Sequence, residues 1–202
     1  MTAILLGIVV AGSPLLLGEL LTRILGLHDE ISRKTIHVLG AVASATLVLF
    51  MTQQQIVLLS LIFCVVMLCV RRYKLLKSLY TVSRKSYGEI FFPTGVGLAA
   101  LVATDARSFA CAVLIMGFAD TAASLLGTVN VNNSIRFWNK KSLHGSIAFL
   151  LVATVLLLGV TDIPVATSIL IGAGLTLVEF ISPYGSDNVT VAVAAAVVLR
   201  LL

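Results

Sequence analysis

Five carboxylates, Glu19, Glu89, Asp120, Glu179 and Asp187, stand at or near the ends of apolar stretches in a chain only 11% charged. An ionised carboxylate at membrane depth costs roughly 2.5–3.5 kcal/mol on insertion scales, so it is kept for a cationic partner, a metal or a water-filled cavity. Basic residues suited to those roles gather at the same ends: Arg33, Lys34, Lys140 and Lys141. His37 follows Lys34 by three positions and Arg33 by four, which puts all three on one helical face. Arg forks onto phosphate oxygens and Lys adds a point charge. Carboxylates beside them suit Mg2+, which prefers oxygen ligands and phosphate. Together these parts fit phosphoryl or nucleotidyl transfer, where catalysis is mostly positioning and charge neutralisation. No Walker-type GxxxxGK[ST] or kinase glycine-rich loop is present. Gly95-x-Gly97 and Gly172-x-Gly174 read as helix-packing glycines.

Asp120 is the sharpest case. Small residues on both sides, Gly117, Ala119, Ala122 and Ala123, let a helix or a ligand approach its backbone closely. A metal or nucleotide contact and a buried ion pair with Arg or Lys both account for it. Glu89 precedes Pro93, which frees a backbone carbonyl one turn earlier at the level of the acid. Asp187 equally suits a helix N-cap, and Glu19 suits an i,i+4 pair with Arg23. Asp29 and Glu30 read as solvated loop acids, and Asp105 and Asp162 as acids of the opposite loops.

The elements that position these groups follow from composition. The chain is 59% apolar with a mean hydropathy of +1.09, whereas soluble domains run at about 25% charged residues. The excess apolar surface must face lipid, and separate spans of this length must be helical to satisfy their own amides. The expectation is a single integral membrane domain over 1–202, an all-α polytopic bundle of eight spans. They are 3–21, 36–50, 56–70, 90–103, 109–126, 147–160, 165–181 and 189–202, or seven if the last does not cross. The first lacks a basic n-region and reads as a mature membrane helix. Twelve of the fourteen Lys and Arg residues fall in alternate loops, which places those loops in the cytoplasm. The net charge of +5 reads as this pattern plus affinity for anionic headgroups or phosphates, with no nucleic-acid partner. In 71–87, Tyr73, Leu76 and Tyr80 fall at helical spacing among basic residues, the mark of an interfacial amphipathic helix. The Asn-rich loop 128–142 looks able to close over a polar ligand, with Phe137 and Trp138 as interfacial anchors. Cys64, Cys69 and Cys111 read as buried small hydrophobes without disulfides.

Five segments, in order over 31–188, resemble one family. Arg33-Lys34-Thr35-Ile36-His37 resembles the RKxxH signature of the dolichol kinase, phytol kinase and CTP-dependent diacylglycerol kinase family. Tyr87-Gly88-Glu89-Ile90-Phe91-Phe92-Pro93 is similar to its YGEIxFP stretch, and Ala119-Asp120-Thr121-Ala122-Ala123 with Gly127 to its (G/A)DxxAxxxG segment. Lys140-Lys141-Ser142-x-x-Gly145-Ser146 resembles its KKSxxGS, and Glu179 and Asp187-Asn188 fall where its closing acidic and DN motifs occur. His144 departs from it, standing where many relatives carry an acid.

The resemblance implies a kinase that transfers the γ-phosphate of CTP to the hydroxyl of a lipid alcohol, diacylglycerol or a polyprenol-like isoprenoid. It implies a divalent cation, Mg2+, held by Asp120 with Glu89 or Asp187, and Glu179 as a further candidate. Arg33, Lys34, Lys140, Lys141, Ser142 and Asn188 would bind nucleotide phosphates. Asp120, His37 and Glu89 are the catalytic candidates, with the acceptor of the hydroxyl proton left open between His37 and a carboxylate. The site would lie on the cytoplasmic face of the cell membrane in a prokaryote, or of an endoplasmic reticulum or plastid membrane in a eukaryote. A CTP-dependent phosphatidate cytidylyltransferase would use similar parts. An anion or phosphate transporter would need ionisable groups at mid-membrane with access from both faces.

Overall fold

The computed structural model describes residues 2–25, 29–76, 87–128 and 141–202. Among them the chain is all-helical. The helices are α1 (Thr2–Leu25), α2 (Asp29–Thr46, extended by a 3-10 turn, Leu47–Leu49), α3 (Gln53–Tyr73) and α4 (Gly88–Val102). Then come α5 (Ala106–Thr128), α6 (Leu143–Val160), α7 (Val165–Ile181) and α8 (Asp187–Leu201). Each falls on one of the eight apolar stretches of the sequence.

Four of these helices, α1, α3, α5 and α6, are long and apolar enough to cross a membrane. Eight full spans by that measure are not supported. The 15 residues of α4 rise about 22 Å at 1.5 Å each, short of the ~30 Å hydrocarbon core. The 17 of α7 also fall short, and α2 carries charges through its first turns.

Local chemistry sets the helix ends. Thr52 and Gln55 form a reciprocal capping box at the start of α3. Asp105 caps α5 by accepting from the amides of Arg107 at 2.9 Å and Ser108 at 3.0 Å. Ser142 caps α6 by accepting from Gly145 N at 3.1 Å. In α1, Pro14 cannot donate to Val10 O, and Ser13 Oγ donates to that carbonyl instead at 2.9 Å. Lys74, at φ 51°, ends α3 in the left-handed conformation. Arg71–Tyr73 therefore belong to α3 and not to a separate interfacial helix. Residues 77–86 of that expected helix, and Asn130, Phe137, Trp138 and Lys140 of the Asn-rich loop, lie outside the described residues.

The centre is α5, packed on α2, α4, α6 and α8. Its Phe109, Ala112, Val113, Ile115 and Met116 are fully buried. Ala192, Ala195 and Ala196 of α8 are buried as well, and their small side chains let the backbones close up. Long apolar side chains such as Leu5, Val9, Leu16, Leu61 and Leu170 point outward, as lipid contact requires. Of the cysteines, Cys111 is buried and Cys64 half-buried, whereas Cys69 is exposed. All three are free.

The glycines divide in an instructive way. A Cβ on Gly95 would lie 2.0 Å from Asn188 O, and one on Gly172 2.8 Å from Thr154 Oγ1, so these are close-approach positions. A Cβ on Gly174 would meet nothing within 4 Å, so this residue does not pack a helix. Gly95→Ala must push α4 off the backbone of α8, an overpacking cost of about 1–3 kcal/mol. Thermal unfolding of purified protein should show Gly95→Ala well below the parent and Gly174→Ala close to it.

Candidate active site

Consecutive helices run antiparallel, so charged ends from every helix pair meet at one pole. There a cavity of about 620 Å3 opens, and it is lined by Arg33, Lys34, His37, Glu89, Asp120, Lys141, Ser142, Glu179, Asp187 and Asn188. Every described residue proposed for catalysis, phosphate or metal thus reaches one chamber, while Glu19 stays outside it and pairs with Arg23 at 2.7 Å. The opposite pole holds Arg107 paired with Asp162 at 2.9 Å, and Gln53 Nε2 donating to Ala103 O at 2.6 Å.

Asp120 sits at the head of the last two turns of α5, just after a π-helical stretch, Ile115–Ala119. Lys34 Nζ lies 2.6 Å from Asp120 Oδ2 and donates to the Asp120 carbonyl at 3.4 Å. His37 Nε2 lies 3.4 Å from the same Oδ2 and 3.3 Å from Met116 O, so it faces two acceptors. Its ring packs edge-on against Phe92, 5.2 Å between centroids. The expected common face of α2 is there, but its members divide: Lys34 and His37 go to Asp120, while Arg33 pairs with Glu30 at 2.7 Å. Glu30 is not simply solvated, because Arg33 and Ser124 Oγ both donate to it on the cavity wall.

Lys141 carries the second cluster. Its ammonium donates to Glu179 Oε1 and, at 3.1 Å, to Asp187 Oδ2. Burial disfavours its charge, but the Asp187 and Glu179 carboxylates outweigh that and hold its pKa above the ordinary lysine value. Asp187 opens α8, yet its carboxylate faces Lys141, and among the described residues the only amide it accepts from is that of Asn188, at 3.2 Å. It is a site residue more than a cap.

One carboxylate oxygen each from Asp120, Glu179 and Asp187 lie within 4.8 Å of one another. Glu89 is not in this group; Arg71 pairs with it, and the same guanidinium lies 4.2 Å from the centroid of the Tyr87 ring. Two buried acceptors at the group lack a hydrogen-bond donor among the described residues, Glu179 Oε2 and Asn188 Oδ1. The Asn188 amide is oriented by donating through Nδ2 to Gly88 O at 3.1 Å, which leaves Oδ1 the unserved atom. A buried acceptor left unserved costs about 1–3 kcal/mol. An all-oxygen donor set with spare buried lone pairs fits a hard divalent cation.

Sequence reasoning ranked Glu179 below Glu89 and missed the Arg71–Glu89 pair. Spacing gave no signal for that pair, since the partners are 18 residues apart on different helices. The shared pole was the only available hint.

No protein-family description, curated protein or solved structure matches this chain.

Proposed function

We propose that this protein is a CTP-dependent lipid kinase. The single observation supporting it is the make-up of the cavity. One end is ionic, with Lys34, Asp120, Lys141, Glu179 and Asp187; the other is apolar, with Ala11, Leu15, Leu47, Leu59, Phe63 and Met67 from α1, α2 and α3. An amphiphile whose hydroxyl reaches the charges while its tail lies against the apolar wall would match both ends. Sites for lipid-like ligands are mostly apolar with few convergent polar groups.

In this reading Lys34, Lys141 and Arg33 neutralise the triphosphate. Ser142, buried beside Lys141, and Asn188 border the same chamber. Asp120, Glu179 and Asp187 would hold a divalent cation, which supplies charge neutralisation at the transferred phosphoryl group. Glu89, clamped by Arg71, shapes the lipid side. His37, with Nε2 committed to acceptors, or one carboxylate takes the hydroxyl proton. The choice of CTP rests on the motif resemblance alone. The test is to incubate purified protein with γ-labelled CTP and either a panel of lipid alcohols or phosphatidate. Label in a phospholipid with release of CDP is expected. Label in pyrophosphate would instead identify a cytidylyltransferase, and no transfer at all would end the kinase reading.

The proposal places the charged pole in the cytoplasm and has all eight helices cross. Chain continuity supports the crossings. α1 and α3 both finish at the charged pole, so α2 must return between them, as α4 must between α3 and α5. Shorter helices would complete their crossing with polar flanks. In a background lacking Cys64, Cys69 and Cys111, cysteines at Gln54 and Asp162 should react with an impermeant thiol reagent from outside intact cells. Cysteines at Lys74 and Tyr184, both exposed, should react only after permeabilisation. The opposite pattern would reverse the orientation.

A further inference from the structure

The two lysines at the site are held differently. Lys34 rises from the second turn of α2, its side chain is only 5% exposed, and it is fixed to Asp120 through both the carboxylate and the backbone carbonyl. Lys141 lies in extended chain just before the cap of α6, and its side chain is 16% exposed against 2% for its partner Glu179. Its carboxylate partners sit on helices α7 and α8. Of the three groups, the lysine has the freedom to leave.

Geometry also makes the lysine and a divalent cation rivals. Mg2+ needs oxygens at about 2.0–2.1 Å, and the Asp120, Glu179 and Asp187 oxygens already converge within 4.8 Å. The Lys141 ammonium donates to two of those same carboxylates. A second cation inside that shell would face an unscreened like charge in a buried site. Yet Lys141 does not complete the shell, because Glu179 Oε2 and Asn188 Oδ1 remain buried without a donor among the described residues. The basket accepts more positive charge than it holds: with three carboxylates ionised against Lys34 and Lys141, one negative charge is left over.

We propose that Lys141 is a tethered place-holder for the divalent cation: it occupies Glu179 and Asp187 until the cation arrives, then swings into the cavity. Its destination there, the phosphates of the incoming nucleotide, rests on the kinase reading; the exchange itself does not. Cation entry and phosphate capture become one event, since the ion that takes the carboxylates releases the ammonium that greets the anion.

The exchange has a sign that a purely structural lysine lacks. In detergent-solubilised full-length protein without nucleotide, Mn2+ binding is read by electron paramagnetic resonance. Lys141→Met and Lys141→Gln should each bind Mn2+ at least about tenfold more tightly than the parent, and Glu179→Gln should abolish binding in either background. Unchanged or weaker Mn2+ affinity in the lysine variants would overturn the proposal, as would binding that survives Glu179→Gln. The unsubstituted chain supplies a second arm that needs no variant to fold. Reductive methylation of Lys141, followed by mass spectrometry, should accelerate severalfold when Mg2+ is added, while Lys34 stays unreactive. A rate insensitive to Mg2+ would overturn the proposal as well. Neither arm contains CTP or lipid. Absence of kinase activity would therefore remove only the phosphate destination, whereas equal Mn2+ affinities in an active kinase would remove only the exchange.

Discussion

Asp120→Asn should lower turnover by at least about a hundredfold, roughly 2.7 kcal/mol of transition-state stabilisation, at saturating CTP, lipid and Mg2+. The substitution keeps size and one acceptor oxygen, so it removes the charge and little else. Asp120 is the residue common to both clusters: Lys34 and His37 lean on its Oδ2, and it joins Glu179 and Asp187 in the carboxylate group. The loss has a second component. Lys34 is 4% exposed, and removing the partner of a buried charge costs about 3–5 kcal/mol of stability. Melting of the purified protein should therefore fall along with activity. The double variant Asp120→Asn, Lys34→Met separates the two, because replacing both members of a buried pair by neutral groups is often close to neutral. It should recover the melting temperature and recover no turnover. Near-normal turnover of the single variant would reduce Asp120 to an ion-pair partner.

Lys141→Ala should lose about as much activity as Asp120→Asn, and with every lipid alcohol alike, because the proposed partner of Lys141 is the nucleotide and not the acceptor. Lys141→Arg keeps the charge with a different shape and reach, so it should retain a measurable fraction. Truncation also leaves Glu179 and Asp187 facing each other inside the bundle. The alanine variant should accordingly melt lower than the parent in chelator and gain more from added Mg2+ than the parent does. If calorimetry finds CTP binding intact and only lipid use impaired, Lys141 does not belong to the nucleotide site.

The described helices were legible in the sequence because each apolar run is bounded by charge or by turn residues. The span count was not. Hydrophobic runs mark what is buried, and α4 bounds its run at only 15 residues, packed between α3, α5 and α8, where the bundle and not its own length decides its depth. Lys34, His37, Asp120, Lys141 and Asp187 were legible because charge in an apolar context needs a reason. Their pairing was not, since one-dimensional spacing constrains neighbours on one helix alone. Lys34 meets Asp120 across 86 positions and Lys141 meets Glu179 across 38. The chain alone put Glu89 ahead of Glu179; the approach of Arg71 to one and Lys141 to the other changes that order.

The π-helical stretch Ile115–Ala119 has a further consequence. A residue advances an α-helix by about 100°, so a segment that winds more slowly resets the bearing of everything after it. Asp120 points at Lys34 because the five residues of that stretch fill little more than the turn that about four fill in an α-helix. Evolution could exchange Ile115 or Met116 for another side chain of similar bulk and leave the carboxylate aimed as it is. Winding the same five residues as ordinary α-helix would swing Asp120 by on the order of 90° around the helix axis, whereas losing one of them as the stretch relaxes would return the carboxylate to nearly its present bearing. In this protein the aim of the central carboxylate depends on that wide turn keeping its winding, and a loss of one residue there would disturb it less than a straightened turn of the same length.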